Sequence, residues 1–247
     1  VDALTLLVLV LVGLVAGVIN TLAGAGSLLT LPALLWAGVP PQAANASNRI
    51  GVVVGSVSAT AHYLRTGALT PDQDRGVWGA ACLGAAVGSW GAVDLDERTF
   101  GVVLVLAMWG ALATVLFKPG AGLVETGVAA PPWARVLGFF GIGLYGGFLQ
   151  AGVGYLLLAG FVSLCGHDLA GANPRKVGLV LAFTLPALLV FALHGLLWWG
   201  PGLALAAGTA VGGLIGARVN AQWGSRPIRW LLIWSVAAST GRVLGWW

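Results

Sequence analysis

The sequence predicts an all-α integral membrane protein of two repeated halves, each with a broken or re-entrant first helix followed by about three spanning helices. Three observations predict it. Of 247 residues only 8% are charged and 58% are hydrophobic, with a mean hydropathy of +0.93. Soluble domains carry roughly 25% charged residues, so this chain lacks the polar surface to face water all round, and its solvent is lipid. Apolar runs of about 20 residues, the length that crosses a bilayer core, recur along the chain. A glycine-rich interruption, Ala23-Gly24-Ala25-Gly26, returns as Ala151-Gly152-Val153-Gly154, a displacement of 128 residues (152 − 24).

Taken in order, Ala3 to Ile19 is apolar on every side, as a helix buried in lipid or in a bundle is. The apolar run extends to Leu22 and has no basic stretch before it. It is therefore expected to be a retained span rather than a cleaved signal, and a chain opening on Val1-Asp2 is expected to lack its natural start. Asn20 to Gly26 is expected to break the helix, because glycine in a helix interior costs about 1 kcal/mol relative to alanine. Ser27 is a candidate N-cap for a short limb, Leu28 to Ala37, that rises only about 15 Å. Irregular backbone at that depth must be shielded by protein or line a wet cavity. Gly38 to Gln42 turns on Pro40-Pro41, and Ala43 to Leu64 is the most polar span. Arg65 to Arg75, with Pro71, is a connector. Gly76 to Val93 is a Gly/Ala-rich span suited to close helix packing. Asp94 to Arg98 is a solvated charged turn, and Thr99 to Phe117 is a further span.

Residues 118–132, rich in Pro and Gly, read as a linker between a first membrane repeat (1–117) and a second (133–247). The second half repeats the order. Trp133 to Leu149 is a helix, Gln150 to Gly154 a break, Tyr155 to Cys165 a short limb and Gly166 to Asp168 a turn. Ala172 to Leu193 is a span with a kink expected at Pro186; Gly200 to Ala221 and Ile228 to Leu244 are the last two. Trp133, Trp198, Trp199, Trp223, Trp246 and Trp247 fall at segment ends, as an interfacial aromatic belt requires. An odd number of crossings per half inverts the second half and an even number leaves it parallel; inverted repeats are the favoured arrangement.

Glycine-rich breaks at matching places in two halves point to a transporter's binding site. Ala44-Asn45 matches Ala172-Asn173, and Arg49-Ile50-Gly51 matches Lys176-Val177-Gly178. A cation inside a span is costly unless it meets protein, water or a partner. Asp168 is the acidic residue nearest in sequence to either cation, so an anionic ligand is the expected counter-charge. Helix N-termini at the breaks would add amide donors, with Asn20 and Gln150 beside them. The candidate substrate-binding set is Asn20, Gly24, Gly26, Ser27, Asn45, Asn48 and Arg49, with Gln150, Gly152, Gly154, Tyr155, Asn173, Arg175 and Lys176. Plainer readings stand beside it. Arg49 and Lys176 could snorkel to headgroups, the glycines could only pack helices, Asn45 and Asn173 could be N-caps, and Tyr155 could fill the space opposite Ser27 or simply pack.

The composition excludes several classes. Net charge is +4, but the basic residues are scattered at segment ends rather than clustered on one face, so no nucleic-acid partner is expected. Cys82 and Cys165 lie in apolar runs and read as buried thiols. His62, His167 and His194 lack metal-ligand spacing, and neither a cofactor nor a metal is expected. No Walker-type loop or nucleophile elbow occurs, so neither ATP hydrolysis nor enzymatic chemistry is expected.

Through Gly24-Ala25-Gly26-Ser27, Pro32, Gly38-Val39-Pro40 and Ala44-Asn45-Ala46-Ser47-Asn48 the chain resembles the TauE/SafE family of membrane permeases, the sulfite exporter-like proteins. The resemblance implies a multi-pass transporter of the bacterial inner membrane that exports sulfite or a small organosulfonate. The second half departs from the family pattern: Gly160 stands where Pro32 stands, and Pro174-Arg175-Lys176 replaces small hydroxyl residues, which bears on the substrate. The expected partners are a small anion and the lipid bilayer, with a coupling proton and a homo-oligomer left open. One half is expected to rock against the other; a channel-like anion facilitator, or a transporter of another small anion, is the alternative.

Overall fold

The computed structural model describes residues 1–70, 75–117, 125, 127–219 and 226–243, the side chains at 115, 117, 226–232, 238 and 242 aside. The connector's Pro71, most of the 118–132 linker, and Trp223, Trp246 and Trp247 therefore lie outside the described residues. Among those described the chain forms ten helices: α1 (Ala3–Ala23), α2 (Ser27–Trp36), α3 (Pro41–Arg65), α4 (Arg75–Val93), α5 (Glu97–Phe117), α6 (Pro132–Phe148), α7 (Val153–Ser163), α8 (Leu169–Leu193), α9 (Trp199–Arg218) and α10 (Arg226–Val243). α1, α4, α5, α8 and α9 are long and apolar enough to cross a membrane. Each half thus holds a helix, a short limb and three further helices.

Local chemistry sets the helix ends. The Asp2 carboxylate accepts the Thr5 amide at 3.1 Å and starts α1. Pro41 opens α3 at its first position, where its missing N–H costs nothing. Asp168 accepts the Gly171 amide at 2.9 Å and caps α8. These ends correct two expectations. Asn45 and Asn173 are not caps, because Pro40 and Asp168 already occupy that role several residues upstream. The first break also starts later than Asn20: residues 20–23 complete the last turn of α1, and the chain leaves the helix at Gly24 (φ +71°), whose amide donates to the Asn20 carbonyl at 2.9 Å.

The two halves interlock. α1 packs along α9 and, in the matching pair, α6 packs along α4; α3 lies on α9 as α8 lies on α4, and α3 and α8 face one another. Small residues make these contacts possible. A Cβ at Gly208 would overlap the Val10 carbonyl oxygen, and one at Gly147 would overlap that of Ala85. Two bodies result, α1–α3–α9 and α4–α6–α8, each drawn from both halves of the chain, with a seam along α3 and α8. Trp133, Trp198 and Trp199 stand exposed at or beside helix starts, and Cys82 and Cys165 are not joined in a disulfide.

Candidate substrate-binding site

The breaks meet at the seam. Gly24 and Gly154 touch backbone to backbone, so that a side chain on either would overlap the other's main chain. Gly152 is left-handed like Gly24, at φ +69°. Ser27 is the first residue of α2, preceded by Gly26, and makes no capping bond, which corrects its assignment as N-cap. Its hydroxyl reaches across instead, donating to the Gln150 carbonyl at 2.7 Å and accepting the Gly152 amide at 3.2 Å. The supply of amides expected at the breaks is correspondingly reduced: Gly152's is taken by Ser27, and Tyr155's by the Gly152 carbonyl at 3.1 Å.

The two cations lie deep in the protein. Arg49 is 0% and Lys176 1% exposed, which removes the headgroup reading. Arg49 on α3 donates through Nη1 to the Gly146 carbonyl at 3.0 Å and through Nη2 to that of Gly147 at 2.6 Å, at the C-terminal end of α6. Its guanidinium carbon lies 4.8 Å from the Phe191 ring centroid. Lys176 on α8 does the same for α1, its Nζ donating to the carbonyls of Thr21 at 2.9 Å and Asn20 at 3.3 Å. Each body thus sends one cation across the seam to the end of a helix in the other. Helix C-termini carry orphan carbonyls and a partial negative charge, so the arrangement is physically favourable. Asn45 joins it, its Nδ2 donating to the Phe148 carbonyl at 3.0 Å.

A polar chain links the cations' surroundings. The Thr30 hydroxyl donates to Asn48 Oδ1 at 2.6 Å, Asn48 Nδ2 approaches Gln150 Oε1 at 3.4 Å, and Gln150 Nε2 donates to the Thr184 hydroxyl at 3.0 Å. Beside it lies a cavity of about 20 Å³, lined by Asn20, Thr21, Gly26, Ser27, Thr30, Asn48 and Thr209 among others. That volume holds about one water. The described carboxylates, Asp2, Asp94, Asp96, Glu97, Glu125 and Asp168, are all exposed at helix ends or in loops, so among the described residues the centre holds positive side-chain charge and no negative.

Three predicted residues sit elsewhere. Tyr155 lines a separate 260 Å³ pocket with Tyr145, Ala107 and Thr114, which corrects its placement opposite Ser27. Arg175 turns outward, donating to the Gly171 carbonyl at 2.9 Å and to Thr70 Oγ1 at 3.3 Å. Asn173 lines an outer cleft, its Nδ2 donating to the Tyr63 hydroxyl at 3.2 Å. Sequence reasoning missed Thr21, Thr30, Thr184 and Thr209. Hydroxyls inside otherwise apolar runs were their signal, but a helical Thr more often bonds its own preceding turn, so the sequence did not separate them from ordinary positions.

A polar, cationic centre inside a bundle of apolar helices defines a multi-pass membrane transport protein. The sequence profile of the sulfite exporter TauE/SafE family matches residues 9–243, and the chain belongs to that family. It is 29% identical over 248 residues to the probable membrane transporter protein YfcA of Escherichia coli strain K12, covering 99% of this chain and 91% of that one. It is 28% identical over 220 residues to the probable membrane transporter protein ORF9 of a Sinorhizobium species, covering 89% and 84%. A probable membrane transporter protein of Haemophilus influenzae is 28% identical over 240 residues, covering 92% and 90%. No solved structure matches the chain.

Proposed function

We propose that the protein is a secondary transporter that exports a small sulfur-containing oxyanion, sulfite or an organosulfonate such as sulfoacetate, across the bacterial inner membrane by alternating access. The observation that carries this reading is the pair of fully buried cations whose hydrogen bonds, among the described residues, go to carbonyl oxygens across the seam rather than to a carboxylate. At each break a helix C-terminus meets a helix N-terminus, with partial charges of about half a unit and opposite sign. To first order these cancel, leaving two full side-chain charges that a small oxyanion would neutralise.

The mechanism follows from where the cations are held. In the closed state each one ties its own body to a helix end of the other. An anion entering the centre competes with those carbonyls, and an oxyanion is the stronger acceptor for Arg and Lys. Drawing the cations inward loosens both ties at once and lets α1–α3–α9 move relative to α4–α6–α8. The solute then leaves by the other face, and the ties re-form. A centre that holds only about one water suits such a gated path better than a continuously open one.

The test is transport in proteoliposomes with radiolabelled sulfite, sulfoacetate, sulfate and chloride. Saturable counterflow of sulfite or sulfoacetate, lost in Lys176→Met, is the expected result. Conduction without counterflow would replace the reading with a facilitator, and preference for another anion would replace the substrate.

A further inference from the structure

A cleft of about 630 Å³ has Leu22, Tyr63, Asn173 and Arg218 among its lining residues. It brings together the end of α1, the last turns of α3, the first turns of α8 and the end of α9. At its floor the Asn173 Nδ2 donates to the Tyr63 hydroxyl at 3.2 Å, while Asn173 Oδ1 is buried without a partner. Further in along α3, three and then four residues from Tyr63, the hydroxyls of Thr60 and Ser56 are also buried without partners. A buried, unpaired polar atom costs roughly 1–3 kcal/mol, and a row of them on one helix stripe calls for an explanation beyond packing. The stripe continues to Val52 and Asn48, which line the central cavity.

The matching positions in the other half are filled differently. Asn45 answers to Asn173 (173 − 128) and Phe191 to Tyr63 (63 + 128). Both are fully buried; Asn45 bonds the Phe148 carbonyl through Nδ2 and, like Asn173, leaves its Oδ1 buried without a partner, and Phe191 lies against the Arg49 guanidinium. One side of the seam therefore borders a cleft at a single side-chain hydrogen bond, while the matching pair on the other side is fully buried.

We infer that the cleft is the solute's route to the centre from one membrane face, that the Tyr63–Asn173 pair is its inner gate, and that Thr60 and Ser56 line the passage behind it. The exposed Arg218 guanidinium stands at its outer margin as the cation facing an arriving anion. Glu125 and Asp168, also near the start of α8, are engaged with the Leu169 and Gly171 amides. The inference rests on the transport reading for what passes, but not for where the passage lies.

The experiment uses the full chain in oriented vesicles, with Cys82→Ser and Cys165→Ala, and with Thr60→Cys exposed to a membrane-impermeant anionic thiosulfonate. Labelling is expected from one face only. Tyr63→Ala is expected to raise its rate roughly fivefold to tenfold, the shift one lost hydrogen bond gives a two-state gate. Labelling from both faces at equal rates, or a rate unmoved by Tyr63→Ala, overturns the route. If Thr60→Cys does not fold, Ser56→Cys carries the same expectations. Added sulfoacetate, whose sulfonate does not react with the thiosulfonate, should slow the labelling; if it has no effect while the gate variant still accelerates it, the route stands and the anion reading fails.

Discussion

At the scale of single residues, Arg49 and Lys176 each tie a helix end of one body to the other, and the proposed transport reading gives them a second role as the anion's counter-charges. Arg49→Ala would leave the Gly146 and Gly147 carbonyls buried and unpaired, a loss of about 1–3 kcal/mol for each orphaned acceptor. The variant should therefore unfold in detergent at a clearly lower temperature, as a thermal-shift measurement would read. Arg49→Lys keeps the charge but loses the fork, and should recover part of the stability. An Arg49→Ala variant as stable as the parent would mean that the α6 end needs no cation. A smaller effect belongs to Asp96, whose carboxyl the Thr99 hydroxyl and amide hold below its ordinary value. A depressed carboxyl contributes stability that is complete above the ordinary value of 3.8 and fades as pH falls through the lower, folded-state value. Asp96→Asn should remove that acid-side dependence from the start of α5 in a melting series. Most of the central residues were legible in the sequence, because a cation in an apolar run and a matched pair of asparagines are rare. What the cations bond to was not, since a helix end 97 residues away (146 − 49) leaves no mark near Arg49. Tyr155 was legible as a polar side chain beside a break and Arg175 as a cation between Asn173 and Lys176, but which way a helical residue faces is decided by neighbours from elsewhere in the chain.

At the scale of elements, the breaks depend on glycine for two separable reasons. Gly24→Ala puts a Cβ on a left-handed residue, at a cost of roughly 1–2 kcal/mol, and also into Gly154. Gly154→Ala meets only the overlap. Both variants should destabilise the protein and weaken anion binding by spreading the contact, with Gly24→Ala the worse; equal effects would show that the left-handed backbone is immaterial. Helix identity and order were legible from apolar runs alone. The ends shifted by up to four residues, for local reasons: α1 runs on to Ala23 before the left-handed Gly24, Asp168 caps α8 ahead of its apolar stretch, and Pro41 starts α3 inside what reads as a turn.

At the scale of the whole molecule, the repeat was legible but its packing was not. Sequence similarity marks two consecutive halves, whereas the contacts assemble two bodies from alternating pieces of each. If those bodies are the moving parts, a crosslink within one should be harmless and a crosslink across the seam should not. Ser47→Cys joined to Trp198→Cys, where the Trp198 amide now donates to the Ser47 hydroxyl at 2.8 Å, ties α3 to the start of α9 and should leave transport intact. Tyr63→Cys joined to Asn173→Cys should stop it. If the Ser47–Trp198 link also stops transport, α3 and α9 do not move as one.

The pairing of α1 with α9 has a further consequence for how the protein is made. α1 cannot find its mate until the chain has grown by a further 176 residues (199 − 23) to the start of α9, and until then its glycines face lipid or a chaperone. Contacts this distant in sequence slow assembly and leave surfaces open to the wrong neighbour. Chains terminated before Trp199 should thus be cleared by quality-control proteases, whereas separately expressed halves, inserted into the same membrane, have the means to complete one another.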